Sequence, residues 1–182
     1  GEDLLPVAAD PRVAISPHSA MKSVGKTPSL VSRAGVVGIA GWTQKRATLG
    51  EIERWRADGR LGICIQTREV RAFDVDIEDP VLAQKVAEFI LTRAELPIRY
   101  RGNSSKCLLA FRLAGELPKR VIKTATGMIE MLGSGQQFVA DSTHTSGARY
   151  EWAFKGAHGL PGHIPELTQE RFETIWSGLA TK

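Results

Sequence analysis

The run Arg71-Ala72-Phe73-Asp74-Val75-Asp76-Ile77 constrains this chain more than any other segment. It reads as a β-strand, and strand side chains alternate between faces. Asp74 and Asp76, separated by one apolar residue, therefore point the same way, about 7 Å apart along the backbone. Folding alone does not call for that arrangement. Like charges side by side repel, and a strand that buries one face prefers an apolar residue there. A divalent cation makes the pair favourable, and hard carboxylate oxygens suit Mg²⁺ or Mn²⁺. For a bare Asp-x-Asp, a solvated polar strand face is the competing reading. The rest of the chain has to decide between them.

The chain has 182 residues, enough for one domain or two small lobes with a core that needs no disulfide staples. An apolar fraction of 42% and a charged fraction of 24% are those of a soluble globular protein. No stretch approaches the roughly 20 apolar residues of a membrane span. The N-terminus, Gly-Glu-Asp-Leu-Leu-Pro, has neither the basic start nor the apolar run of a signal peptide. Beginning with Gly and entering a strand almost at once, the sequence reads as a piece cut from a longer protein. Cys64 and Cys107 sit far apart in apolar runs and read as buried small hydrophobes in a reducing compartment, with no zinc pattern around them.

The net charge of +4 is mild, but its distribution is informative. Arg99, Arg101, Lys106, Arg112, Lys119, Arg120 and Lys123 form a band containing a single acid, Glu116, and the segment just before it is acidic on balance. An acidic metal site beside a basic band suits a polyphosphate or nucleic-acid partner. A solvated basic face is the simpler alternative.

Leu4 to Val7 reads as a short strand, followed by a loop-rich stretch to Ser32 and a strand from Val36 to Ala40. Thr48-Leu49-Gly50-Glu51 is a capping box opening a helix to about Ala57. Leu61 to Gln66 and Val70 to Ile77 are strands joined by a polar turn. Asp79-Pro80 then starts a helix with Leu82, Val86, Phe89, Ile90 and Ala94 as its buried stripe. Strands at 98–101 and 106–113 flank the polar turn Gly102-Asn103-Ser104-Ser105. Gly127 to Leu132 and Gln136 to Ala140 read as a hairpin around Gly133-Ser134-Gly135. Arg149 to Phe154 is a further strand, and Thr168 caps a C-terminal helix to about Gly178. The order is compatible with a small antiparallel or mixed sheet backed by helices.

Three further elements join the Asp pair. Glu130 is an acid inside the apolar strand Gly127-Met128-Ile129-Glu130-Met131-Leu132; beside Asp74 and Asp76 it makes three carboxylates able to hold two ions for an in-line phosphoryl or nucleotidyl displacement. Arg101-Gly102-Asn103-Ser104-Ser105-Lys106 offers hydroxyls, backbone N–H groups and two cations to a triphosphate, with a plain polar turn as the alternative. In the loop from Asp141 to Gly147, His144 is a candidate donor to a phosphate or sugar oxygen. Tyr150 and Trp152 share a strand face and are candidates for stacking on a base, although aromatic strand residues are more often core.

With these elements in this order, the chain resembles the N-terminal bifunctional DNA primase/polymerase ("prim-pol") domain of the archaeo-eukaryotic primase superfamily, found in phage, plasmid and mobile-element replication proteins. The similarity spans nearly the whole chain. It runs from Gly25-Lys26-Thr27-Pro28 through Trp42-Thr43, Ile52 to Trp55, Gly62-Ile63 and the strand Phe73-Asp74-Val75-Asp76. It continues through Pro97-Ile98-Arg99, Ile129 to Gly133 and Gln136 to Ala140, and ends with His144, Ser146-Gly147 and Tyr150-Glu151-Trp152. The resemblance implies an α+β (mixed α/β) fold: an RRM-like, antiparallel-rich catalytic sheet backed by helices, with an N-terminal α/β module packed on it. Residues 1–182 are then a single catalytic domain, 1–60 being the module and 61–182 the core. Asp74 and Asp76 match the family's first metal-binding motif and Glu130 its third acidic position. The second motif, usually Ser-x-His, is matched by Ser104-Ser105-Lys106, so a lysine replaces a titratable phosphate ligand.

The resemblance implies template-directed nucleotidyl transfer onto a 3′-hydroxyl with release of pyrophosphate. Asp74, Asp76 and Glu130 would be the catalytic and metal-binding residues for Mg²⁺ or Mn²⁺. Arg101, Ser104, Lys106 and His144 would bind the nucleotide. Single-stranded DNA template or primer–template and (d)NTPs are the expected partners, a helicase domain or subunit is a partner by family analogy, and the expected location is the cytoplasm of a bacterial host carrying a phage, plasmid or prophage gene. Two rivals stand beside it: a non-catalytic nucleic-acid-binding module of a replication initiator, and a metal-dependent nuclease using the same carboxylates.

Overall fold

The computed structural model describes residues 2–181. The chain packs into two compact units that interleave along the sequence: residues 1–66 with 135–150, and residues 67–134 with 151–182.

In the first unit, strands β1 (Leu4–Ala8), β4 (Leu61–Gln66) and β10 (Gln137–Asp141) form an antiparallel sheet with β4 in the middle. Leu5, Val7, Cys64 and Val139 make its core, with Tyr150 and Trp42 packed against it. A second small sheet pairs β2 (Ser29–Ser32) with β3 (Gly35–Gly38). Helix α1 (Leu49–Ala57) begins at the expected capping box: Glu51 N donates to Thr48 Oγ1 at 3.2 Å and Thr48 N donates to Glu51 Oε2 at 2.9 Å.

The second unit is built on a seven-stranded sheet in which every pairing is antiparallel. Its strands are β5 (Val70–Ile77), β6 (Ile98–Tyr100), β7 (Cys107–Arg112), β8 (Arg120–Thr124), β9 (Gly127–Leu132), β11 (Glu151–Phe154) and β12 (Ala157–His158). They lie in the order β12-β11-β6-β7-β5-β9-β8. Helices α2 (Pro80–Leu91) and α3 (Gln169–Ala180) cover one face. Phe73, Val75 and Ile77 of β5, Leu109 and Phe111 of β7, and Ile129 and Met131 of β9 meet Val86 and Ile90 of α2 and Phe172 and Ile175 of α3 in one core. The rings of Phe73 and Phe111 stack at 4.7 Å, and each lies 5.9 Å from Phe172. Asp79 caps α2 by accepting from Val81 N and Leu82 N, with Pro80 in the first turn. This is the α+β class expected from the sequence.

The expected hairpin between 127–132 and 136–140 does not form. Both strands exist, but β9 pairs with β5 and β8, whereas β10 pairs with β4 in the other sheet. β9 ends at Leu132, and Gly133 follows it in a tightly packed place. The backbone of Leu117, Pro118 and Lys119 lies so close that a Cβ on Gly133 would sit 2.3 Å from Lys119 N. The turn partner of β9 is instead β8, whose residues show in the sequence only as part of the basic band.

Candidate active site

The alternation of β5 turns Asp74 and Asp76 away from the helices, because Phe73, Val75 and Ile77 point into the core. Register then brings up Glu130: Asp74 stands directly opposite Glu130 on β9 and Leu108 on β7, and Asp76 stands opposite Met128. Directly opposed residues share a face, with Cα atoms about 4.5–5.5 Å apart. The three acids thus lie on one face, on two neighbouring interior strands. Gly127 makes this register possible: its φ is +153°, and a Cβ there would lie 2.0 Å from Asp76 O.

Burial, joined by the charges of Asp76 and Glu130 and partly opposed by Arg99 and Lys119, pushes the Asp74 carboxyl up to about 6. Arg99, on β6, belongs to the same cross-sheet row, opposite Leu108 of β7. The turn after β6 reaches the same end of β5. Ser105 Oγ donates to Ile77 O at 2.7 Å, Arg101 donates to Ser104 Oγ at 3.2 Å, and Lys106 N donates to the same oxygen at 3.2 Å. Lys106 follows that turn, one step beyond the register pair Val75–Cys107. Its Nζ lies 2.7 Å from Asp76 Oδ1 and 2.5 Å from Glu78 Oε1, and those two carboxylates hold its pKa above the usual lysine value. Lys119 is ion-paired with Glu130.

Six of the seven expected site residues, Asp74, Asp76, Glu130, Arg101, Ser104 and Lys106, therefore belong to the second unit. His144 belongs to the first. There Ser146 N donates to His144 Nδ1 at 3.1 Å, leaving Nε2 to carry the proton of the neutral ring, and Tyr150 meets the imidazole edge-on at 6.0 Å. Of the aromatic pair, Trp152 is buried core, and Tyr150 is half-buried, packed on the Leu5–Val7 cluster. Nor is the basic band a uniform cationic face. Lys106 and Lys119 are engaged as above, Arg112 pairs with Glu69, and Arg120 makes two 2.7 Å bonds to Glu173 on α3. Of the two cations at the site itself, Lys119 is visible in the sequence only as a member of that band, and Arg99 only there and in the resemblance through Pro97-Ile98-Arg99. Their roles follow from register and from the backbone held against Gly133.

The three carboxylates share one face and one of them is desolvated, and carboxylate oxygens are the donor type that hard divalent cations take. Asp76 and Glu130 are turned to the lysines, and among the described residues no three His, Cys, Asp or Glu side chains stand together in metal-holding geometry.

An antiparallel sheet with both helices on one face and acids on the other defines an α+β protein with an acidic site on the sheet face opposite its helices. A family model for the bifunctional DNA primase/polymerase N-terminal domain matches residues 3–168, and the chain belongs to that family. No curated protein and no solved structure matches it. No helix among the described residues is long and apolar enough to cross a membrane.

Proposed function

We propose that the second unit catalyses template-directed nucleotidyl transfer: a 3′-hydroxyl oxygen attacks the α-phosphorus of a (d)NTP, the bond to the β-phosphate breaks, and pyrophosphate leaves. The observation that carries this reading is the register pair Asp74–Glu130, with Asp76 two residues along on the same face. Asp74, Asp76 and Glu130 would hold two Mg²⁺ or Mn²⁺ ions, which when bound lower the pKa of the attacking hydroxyl and neutralise the triphosphate. Asp74 must be deprotonated to serve, so the site favours neutral or higher pH. Arg101 and Lys106, presented by a turn braced on Ser104, suit phosphate oxygens. The template or primer–template and the (d)NTP are the partners this chemistry requires.

The test is a labelled primer–template incubated with Mn²⁺, with and without dNTPs. Extension that disappears in Asp74→Ala and in Asp76→Ala is the expected result. Shortening of the primer would instead establish a nuclease, and neither change would establish a binding module without turnover.

A further inference from the structure

The carboxylate site carries its own cations. Four acids, Asp74, Asp76, Glu78 and Glu130, face Arg99, Lys106 and Lys119. Lys106 bridges Asp76 and Glu78, and Lys119 pairs with Glu130. A divalent ion approaching this face meets two of its three ligands already engaged by ammonium groups.

Lys119 does not arrive there on a loose end. Its segment is tied to the turn after β9: Ser134 N donates to Leu117 O at 2.8 Å, Leu117 is buried, and the absent side chain of Gly133 lets the backbone of 117–119 lie against it. The side chain itself remains 42% exposed, so it is free to move without unpacking a core.

We infer that Lys119 is a positioning residue that sets the order of loading, holding Glu130 so that divalent cations enter this site together with a nucleoside triphosphate rather than before it. A triphosphate supplies anionic oxygens that can take over both ammonium groups, and each lysine so transferred releases a carboxylate. Removing the Lys119 charge removes one of the two barriers to the free ion. The inference rests on reading Asp74, Asp76 and Glu130 as the ligands.

The measurement is Mn²⁺ binding to the full chain, followed by the electron paramagnetic resonance signal of the free ion, at low ionic strength and without nucleotide. Lys119→Met should bind Mn²⁺ about tenfold more tightly than the wild type, a conservative figure for deleting one nearby positive charge in a partly solvated site. Lys119→Arg, which keeps the charge, should bind as weakly as the wild type. The coupling is reciprocal, so it is also read as the gain in affinity for a non-hydrolysable dNTP on adding Mn²⁺. That gain should be smaller in Lys119→Met. Affinity for Mn²⁺ that is unchanged or weaker in Lys119→Met, or equally raised in Lys119→Arg, overturns the inference. The Asp74→Asn/Asp76→Asn double variant separates this from the underlying reading. If it binds Mn²⁺ as the wild type does, the carboxylates are not the ligands and both fail; if it loses Mn²⁺ while Lys119→Met shows no gain, only the loading role of Lys119 fails.

Discussion

Asp74 is held where its charge is least welcome. Its native pKa of about 6 lies above the value of about 3.9 expected in an unfolded chain. A raised native pKa means that the native state binds the proton more tightly. The resulting stability is fully present below about pH 3.9 and is lost as pH rises through about 6. At neutral pH without metal the ionised Asp74 thus destabilises the fold. We expect Asp74→Asn to stabilise the metal-free protein by about 2 kcal/mol at pH 8 and by nearly nothing at pH 4. Thermal melts of both proteins at the two pH values check this, and an equal gain at both would rule out ionisation as the cause.

Arg71, in the same strand, is buried for the opposite purpose. It donates to Thr67 O at 2.8 Å, Gly115 O at 2.6 Å and Ser134 Oγ at 3.2 Å, tying three turns of the second unit together. Arg71→Met leaves those acceptors without a donor and should cost about 3 kcal/mol, measured by urea unfolding.

At the scale of elements, the site depends on β5 and β9 meeting in one register, and a slip of one residue would send Glu130 to the helix-covered face. Gly127 and Gly133 bound β9, and each sits against backbone that cannot yield to a Cβ. Gly127→Ala should therefore both destabilise the second unit, by about 2 kcal/mol or more, and weaken Mn²⁺ binding. Surface variants on α1, in the other unit, should leave Mn²⁺ binding alone. Melting curves and Mn²⁺ titration read the two effects separately, and Mn²⁺ affinity unchanged in a destabilised Gly127→Ala would detach the site from this register. The turn Gly133-Ser134-Gly135 shows why local signals misled: it has hairpin composition, but the strand after it, β10, finds its partner in β4 rather than β9.

For the whole molecule, the chain passes between its two units after residues 66, 134 and 150. Cutting at residue 60 would therefore not separate a module from a core. A fragment 61–182 would keep β4 and β10 but lose β1, exposing Cys64 and Val139 and leaving the β4 edge unpaired. We expect that fragment to aggregate under conditions where the full chain stays monodisperse in size-exclusion chromatography; a monodisperse, cooperatively folding fragment would contradict this.

The sequence alone determined what is local and periodic. Alternation placed Asp74 and Asp76 on one strand face, capping residues set the starts of α1, α2 and α3, and the acid inside an apolar run singled out Glu130. Each of these is a property of a few consecutive residues and survives whatever the rest of the chain does. Tertiary structure decided the rest: that β9 lies beside β5 and puts Glu130 opposite Asp74, that β10 belongs to the other sheet, and that Lys106 pairs with Asp76 and Lys119 with Glu130. Those facts depend on strand partners far apart in sequence. A strand's own composition says which face is apolar but not which of several apolar strands it will pair with, and long charged side chains take whatever partners that pairing brings within reach.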